Sequence, residues 1–192
     1  MNMRKQLEQI RNSVIIKSIQ ILLSALKNMD DHRGLYYLLG QSIRQYDVPK
    51  ENHHVSEAAN NLWKKLTQGS IDNFHYRDTV KCDNLKIECK VKSYIGNSSK
   101  EKEKTLHPNE TFVFRELFHE DHVIPVSIII KNLLKLPDID EKSIKDCLDK
   151  MHLCVLLKEE DRKIGRTRNR GNDCEQIIRD VYNKAGIYLV KQ

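Results

Sequence analysis

Apolar positions in the first seventy residues recur every three or four places, the spacing that lines one side of an α-helix. Leu7, Ile10, Val14, Ile15, Leu22 and Leu26 predict a long amphipathic helix over residues 3 to 26. Leu35, Leu38, Leu39 and Ile43 predict a second helix that stops before Pro49, and Ala58, Leu62, Trp63 and Leu66 a third after Ser56. Tyr36, Tyr37 and Trp63 read as core residues. The texture then changes to the two-residue alternation of strands. Residues 79 to 82 and 85 to 94 predict a hairpin turning around Asp83 and Asn84, with Ile87, Cys89 and Val91 on one face. The following stretch, GNSSKEKEKTLHPNE, has almost no apolar anchor and reads as an exposed, flexible loop.

Beyond it, TFVFREL and DHVIPV read as a strand-like pair with Phe112, Phe114 and Val123 in the core, ended by Pro125. A helix over residues 127 to 135 is broken by Pro137, and Asp138 or Asp140 can cap another that carries Ile144, Cys147, Leu148 and Met151. HLCVLL predicts a short buried strand. KEEDRKIG, acidic first and basic later, suits the dipole of a helix. A helix over residues 173 to 184 and the strand GIYLV close the chain. The pattern describes an α+β fold in one compact unit, with a helical N-terminal part over residues 1 to 70, a central β-hairpin, and a C-terminal core within residues 71 to 192.

Composition narrows the class. Hydrophobic content of 39% beside 31% charged residues is that of a globular protein, neither disordered nor fibrous. No apolar run approaches membrane-spanning length and the N-terminus lacks a secretory pattern, so the expectation is a cytoplasmic protein without a membrane partner. Five cysteines without a CxxC pair argue against a disulfide framework and a zinc ribbon. The net charge of +6 favours polyanions modestly. Its distribution says more, because Arg162, Lys163, Arg166, Arg168 and Arg170 fall in one nine-residue segment without an acid. Such a run is a candidate phosphate-binding surface.

The candidate chemistry lies in HEDHVIPVS, where Asp121 and His122 stand together ahead of Val, Ile and Pro. With HLCVLL and KEEDRKIG downstream, this stretch resembles the HNH, or ββα-metal, family of nucleases, and its setting among accessory elements resembles type II restriction endonucleases. The resemblance runs from Thr111 to about Arg166. It implies a strand carrying the acid and histidine, a second strand, and a helix supplying another ligand to one divalent ion. Carried onto this chain, it makes His122 the general base and Asp121 a metal ligand. Asp161 becomes the distal ligand, with Glu160 as its nearest substitute. His152 stands where the family often has a bracing Asn, and takes a supporting catalytic role. Carboxylate ligands suit Mg²⁺ or Mn²⁺, one per active site. Hydrolysis of a phosphodiester needs both a base for water and a cation for the developing charge. The family pattern is not fully kept, since the distal His or Asn is replaced by an acid.

The implied function is an endonuclease acting on double-stranded DNA, working as a homodimer if it cuts both strands. The N-terminal helices are a candidate interface. Arg162, Lys163, Arg166, Arg168 and Arg170 would contact phosphates, and Lys90 and Lys92 would join them from the central strand. Three alternatives stay open. One is a nonspecific or nicking HNH enzyme. Another is a PD-(D/E)XK nuclease, because Glu88-Cys89-Lys90 downstream of Asp83 resembles half of that motif. The third is a nucleic-acid-binding protein without catalysis.

Overall fold

The computed structural model describes residues 3–28, 33–67, 71, 78–83, 87–95, 98–164 and 170–191, with 3–5, 7, 8, 87–95 and 98–104 described by their backbone alone. The fold is α+β. In chain order its elements begin with α1 (Met3–Lys27), α2 (Arg33–Arg44), β1 (His53–Ser56), α3 (Glu57–Leu66), β2 (Thr79–Lys81), β3 (Ile87–Ile95) and β4 (Ser98–Leu106). They continue with β5 (Thr111–Val113), α4 (Phe114–Leu117), β6 (Phe118–His122), α5 (Val126–Leu134), α6 (Glu141–Leu148), β7 (Leu153–Leu157), α7 (Lys158–Ile164), α8 (Cys174–Ile177) and β8 (Leu189–Lys191). Packing groups them into two units interleaved along the sequence. A helical unit comprises residues 1–52, 122–152 and 168–177, and a sheet unit comprises 53–121, 153–167 and 178–192.

In the helical unit, α1 packs on α2 and α6, α2 on α5, and α5 on α6. The buried stripe of α1 is Ile15, Ile16, Ile19, Leu23 and Leu26, while Ile10 and Val14 are exposed together with Ile21. Expectation and structure differ here because α1 carries apolar residues on two adjacent sides, and periodicity cannot say which one a neighbour covers. Tyr36 and Tyr37, read as core from sequence, are exposed on α2, whereas Leu39 and Ile43 are fully buried. Asp140 caps α6, accepting a hydrogen bond from the Ser143 backbone N–H at 2.8 Å. That bond holds the Asp140 carboxyl below its ordinary pKa. Tyr46, buried and donating to Asp149 at 2.5 Å, has its pKa raised, first by burial and then by that carboxylate.

The sheet unit contains a four-stranded sheet in the order β6-β7-β1-β8. β1 runs parallel to β7, with Val55 opposite Val155, and antiparallel to β8, with Val55 opposite Val190. β1 lies within a region whose sequence reads as helical. Four residues are too few to show a period, and its partners lie about a hundred residues and more downstream. Ser56 ends the strand and caps α3, accepting from the Ala59 N–H at 3.0 Å, which bears out the helix start.

The central ribbon differs from its expectation in partner and in extent. β2 pairs not with β3 but with β5, Val80 opposite Phe112, and Asp83 returns its N–H to the Leu66 carbonyl at 2.8 Å. β3 pairs antiparallel with β4 from Ile87↔Leu106 to Ile95↔Ser98. Most of the stretch expected to be a loop is therefore a strand. Its ladder does not need an apolar period to form, since the backbone hydrogen bonds of the antiparallel pairing hold it. The link between the strands, Gly96 and Asn97, lies outside the described residues, as does the expected turn residue Asn84.

TFVFRELFHEDH is likewise not one strand. β5 and β6 are separated by the single turn α4, which places Phe114 and Phe118 together, ring centroids 4.9 Å apart, with Trp63 edge-on to both at 5.8 and 5.6 Å. This trio, with Val55, Leu66, Val80, Leu106, Phe112 and Leu117, is the core of the unit. Cys82 and Cys154 are buried thiols, and no disulfide occurs among the described residues. Among those residues no helix is long and apolar enough to cross a membrane.

Candidate functional site

β6 carries the acid and histidine as expected, Asp121 as its fourth residue and His122 as its last, both half-buried. On a strand, residues two apart share a face, so His119 and Asp121 stand on one side and Glu120 and His122 on the other. β7 is the neighbour of β6 in the sheet, and α7 follows β7 directly. The strand, strand, helix order read from sequence is thus present.

Within the sheet unit the face of β6 bearing Asp121 gathers groups that are far apart in sequence. Asp161, in the first turn of α7, lies 3.6 Å from the His119 imidazole through its Oδ1. Asp121 accepts a hydrogen bond on Oδ2 from the Tyr182 hydroxyl at 2.7 Å. That hydroxyl accepts in turn from the Cys154 thiol of β7 at 3.4 Å. Tyr182 and Cys154 are both fully buried, so the bond fixes the carboxylate from the inside of the unit. Tyr182 ends a widened, π-type turn over Ile178–Tyr182.

Glu160, beside Asp161, has a different task. Only 6% exposed, it accepts from the Ser56 hydroxyl at 2.5 Å and from the Leu157 N–H at 2.8 Å, both on Oε2. The second bond is the carboxylate half of a capping box at the start of α7. Because Ser56 itself caps α3, one carboxylate ties two helix starts together.

His122 and His152 belong to the helical unit. The N–H of Val123 donates to the His152 carbonyl at 2.9 Å, so the residue after His122 is joined to His152 itself by backbone. Arg162 and Lys163 are exposed in the last turn of α7, and Arg170 is half-exposed. Arg166 and Arg168 lie outside the described residues. Glu88, Lys90 and Lys92 are on β3, facing Thr105, Glu103 and Glu101 across the hairpin.

Sequence reasoning passed over Tyr182 and Cys154, and read Ser56 only as the residue ahead of a helix. No local signal marks Tyr182, which stands sixty-one residues from the carboxylate it holds. A Ser followed by a helical pattern did signal a cap, but its second bond to Glu160 spans 104 residues. No protein-family profile, curated protein or solved structure matches the chain.

Proposed function

We propose that this chain is a metal-dependent endonuclease that hydrolyses double-stranded DNA, with Asp121 and Asp161 as ligands for one divalent cation and His122 as the general base. The observation that supports it best is the 3.6 Å approach of Asp161 to the His119 imidazole, which sets the helix carboxylate beside the strand face that carries Asp121. Two acids forty residues apart in sequence thereby approach one face of β6. Both offer hard oxygen donors, the chemistry that Mg²⁺ or Mn²⁺ takes. Such a cation, when bound, absorbs charge on the phosphate and leaving oxygens. His122 follows Asp121 directly and faces the other way on β6, so that imidazole and carboxylate need not compete for one role. As a neutral base it takes a proton from the attacking water.

Glu160, engaged in two caps, is proposed as a structural acid, which leaves Asp161 as the distal ligand. His119 positions Asp161, Tyr182 positions Asp121, and His152 braces the segment after His122. Arg162, Lys163, Arg166, Arg168 and Arg170, with Lys90 and Lys92, are the proposed phosphate contacts. Cutting both strands calls for two such sites, hence a homodimer resembling a type II restriction enzyme, and exposed Ile10, Val14 and Ile21 on α1 suit self-association.

Incubating the purified protein with plasmid DNA and Mg²⁺, Mn²⁺ or EDTA tests the reading. Wild type should cut with either metal and not with EDTA, and His122→Ala should lose the activity by a factor of about a hundred or more. Equal cutting by both removes His122 from its role. Binding without cleavage under every metal condition would instead identify a non-catalytic nucleic-acid-binding protein. Discrete fragments point to sequence-specific cutting, and a smear to a nonspecific enzyme.

A further inference from the structure

The register of the β3–β4 hairpin sorts its charges by face. Directly opposed residues in an antiparallel pair share a face, and faces alternate along each strand. One face carries Glu88, Lys90 and Lys92 opposite Thr105, Glu103 and Glu101. Each of its two cations stands across from an acid. The other face carries Cys89, Val91 and Ser93 opposite Lys104, Lys102 and Lys100, and none of its positions from Ile87↔Leu106 to Ile95↔Ser98 is acidic. Three lysines in a row thus share a face with no carboxylate.

We infer that this face, through Lys100, Lys102 and Lys104, grips the sugar-phosphate backbone of double-stranded DNA. The inference rests on the proposed DNA-cutting function and names the surface that meets its substrate. Charge complementarity is the first argument, since three lysines at alternate positions of one strand, placed by the register on a face of the hairpin without an acidic position, attract a polyanion. Dimensions are the second. At about 3.4 Å per residue the row spans about 14 Å, a length over which one strand of duplex DNA carries about four phosphates. A two-stranded ribbon is also narrow enough to lie in a major groove. Anchoring is the third. Leu106 at the foot of the lysine face is fully buried in the core of the sheet unit, and α4 packs on β3, so the hairpin is fixed at its base.

The test is fluorescence anisotropy of the full-length chain on a labelled DNA duplex, in EDTA so that no cleavage intervenes, over a series of salt concentrations. The triple variant Lys100→Gln, Lys102→Gln, Lys104→Gln should bind more weakly and lower the slope of log K against log salt by about 2 to 3. The pair Lys131→Gln, Lys135→Gln, exposed at α5 and outside the proposed contacts, should change that slope much less. Circular dichroism checks folding, and if the triple variant misfolds, Lys102→Gln alone should still lower the slope by about 0.9. An unchanged slope in the folded variants overturns the proposal, as does wild type that binds RNA or anionic vesicles but not the duplex. Wild type that binds DNA without ever cutting it refutes the nuclease reading and leaves this surface standing.

Discussion

Glu160 and Asp161 are successive acids on one short helix, and their surroundings differ. Glu160 is buried and accepts two hydrogen bonds that hold the starts of α3 and α7. Removing its carboxylate leaves a buried hydroxyl and a backbone N–H without an acceptor, so Glu160→Ala should cost about 2 kcal/mol of stability in urea unfolding. Asp161 is more than a third exposed and meets His119 at 3.6 Å, a geometry of little structural value. Asp161→Asn should leave stability within about 0.5 kcal/mol of wild type while abolishing cleavage. The opposite pattern, a stable inactive Glu160→Ala and an active Asp161→Asn, would exchange the two roles. The sequence put Asp161 first and Glu160 as its nearest substitute by position alone, and it held no sign of Ser56, a partner 104 residues away from Glu160.

At the scale of elements, local chemistry sets the starts of helices and tertiary pairing sets the strands. The Asp140 side chain and the Ser143 N–H form the cap of α6 from residues three apart, and the sequence alone names Asp140 as one of two candidates. Since the cap lowers the Asp140 pKa in the folded state, the stability it contributes is present above the unfolded carboxylate value and is lost as pH falls through the lower folded value. Asp140→Ala should therefore lower the melting temperature at neutral pH, and the difference from wild type should shrink in acid. A difference independent of pH would mean that the cap is not the cause. α7 and β7 were legible for similar reasons, an acidic first turn after a short apolar run. β1 and β4 were not. β1 is held by β7 and β8 from distant segments. β4 is almost wholly polar and owes its state to its ladder with β3. A four-residue strand between two neighbours and a polar ribbon strand carry no hydrophobic period for a sequence to display.

For the whole molecule, the proposed cation links function to stability. A ligand that binds only the folded chain stabilises it by mass action, about 2.7 kcal/mol when present at a hundred times its Kd. Thermal unfolding in Mg²⁺ and in EDTA should differ for wild type and coincide for Asp161→Asn. A shift that survives in Asp161→Asn would place the cation elsewhere. By itself the sequence determined the α+β class, most helices, the β6, β7, α7 order, and Asp121 and His122 as the residues to question. These follow from periods, caps and residue chemistry that act within a few positions of one another. Only the tertiary structure decided which side of α1 is buried, that β2 pairs with β5, that Tyr182 holds Asp121, and that Glu160 meets Ser56 while Asp161 meets His119. Each of these is a contact between segments far apart in sequence, fixed by which apolar surfaces and hydrogen-bonding groups the folded chain brings into reach, and no local pattern encodes it.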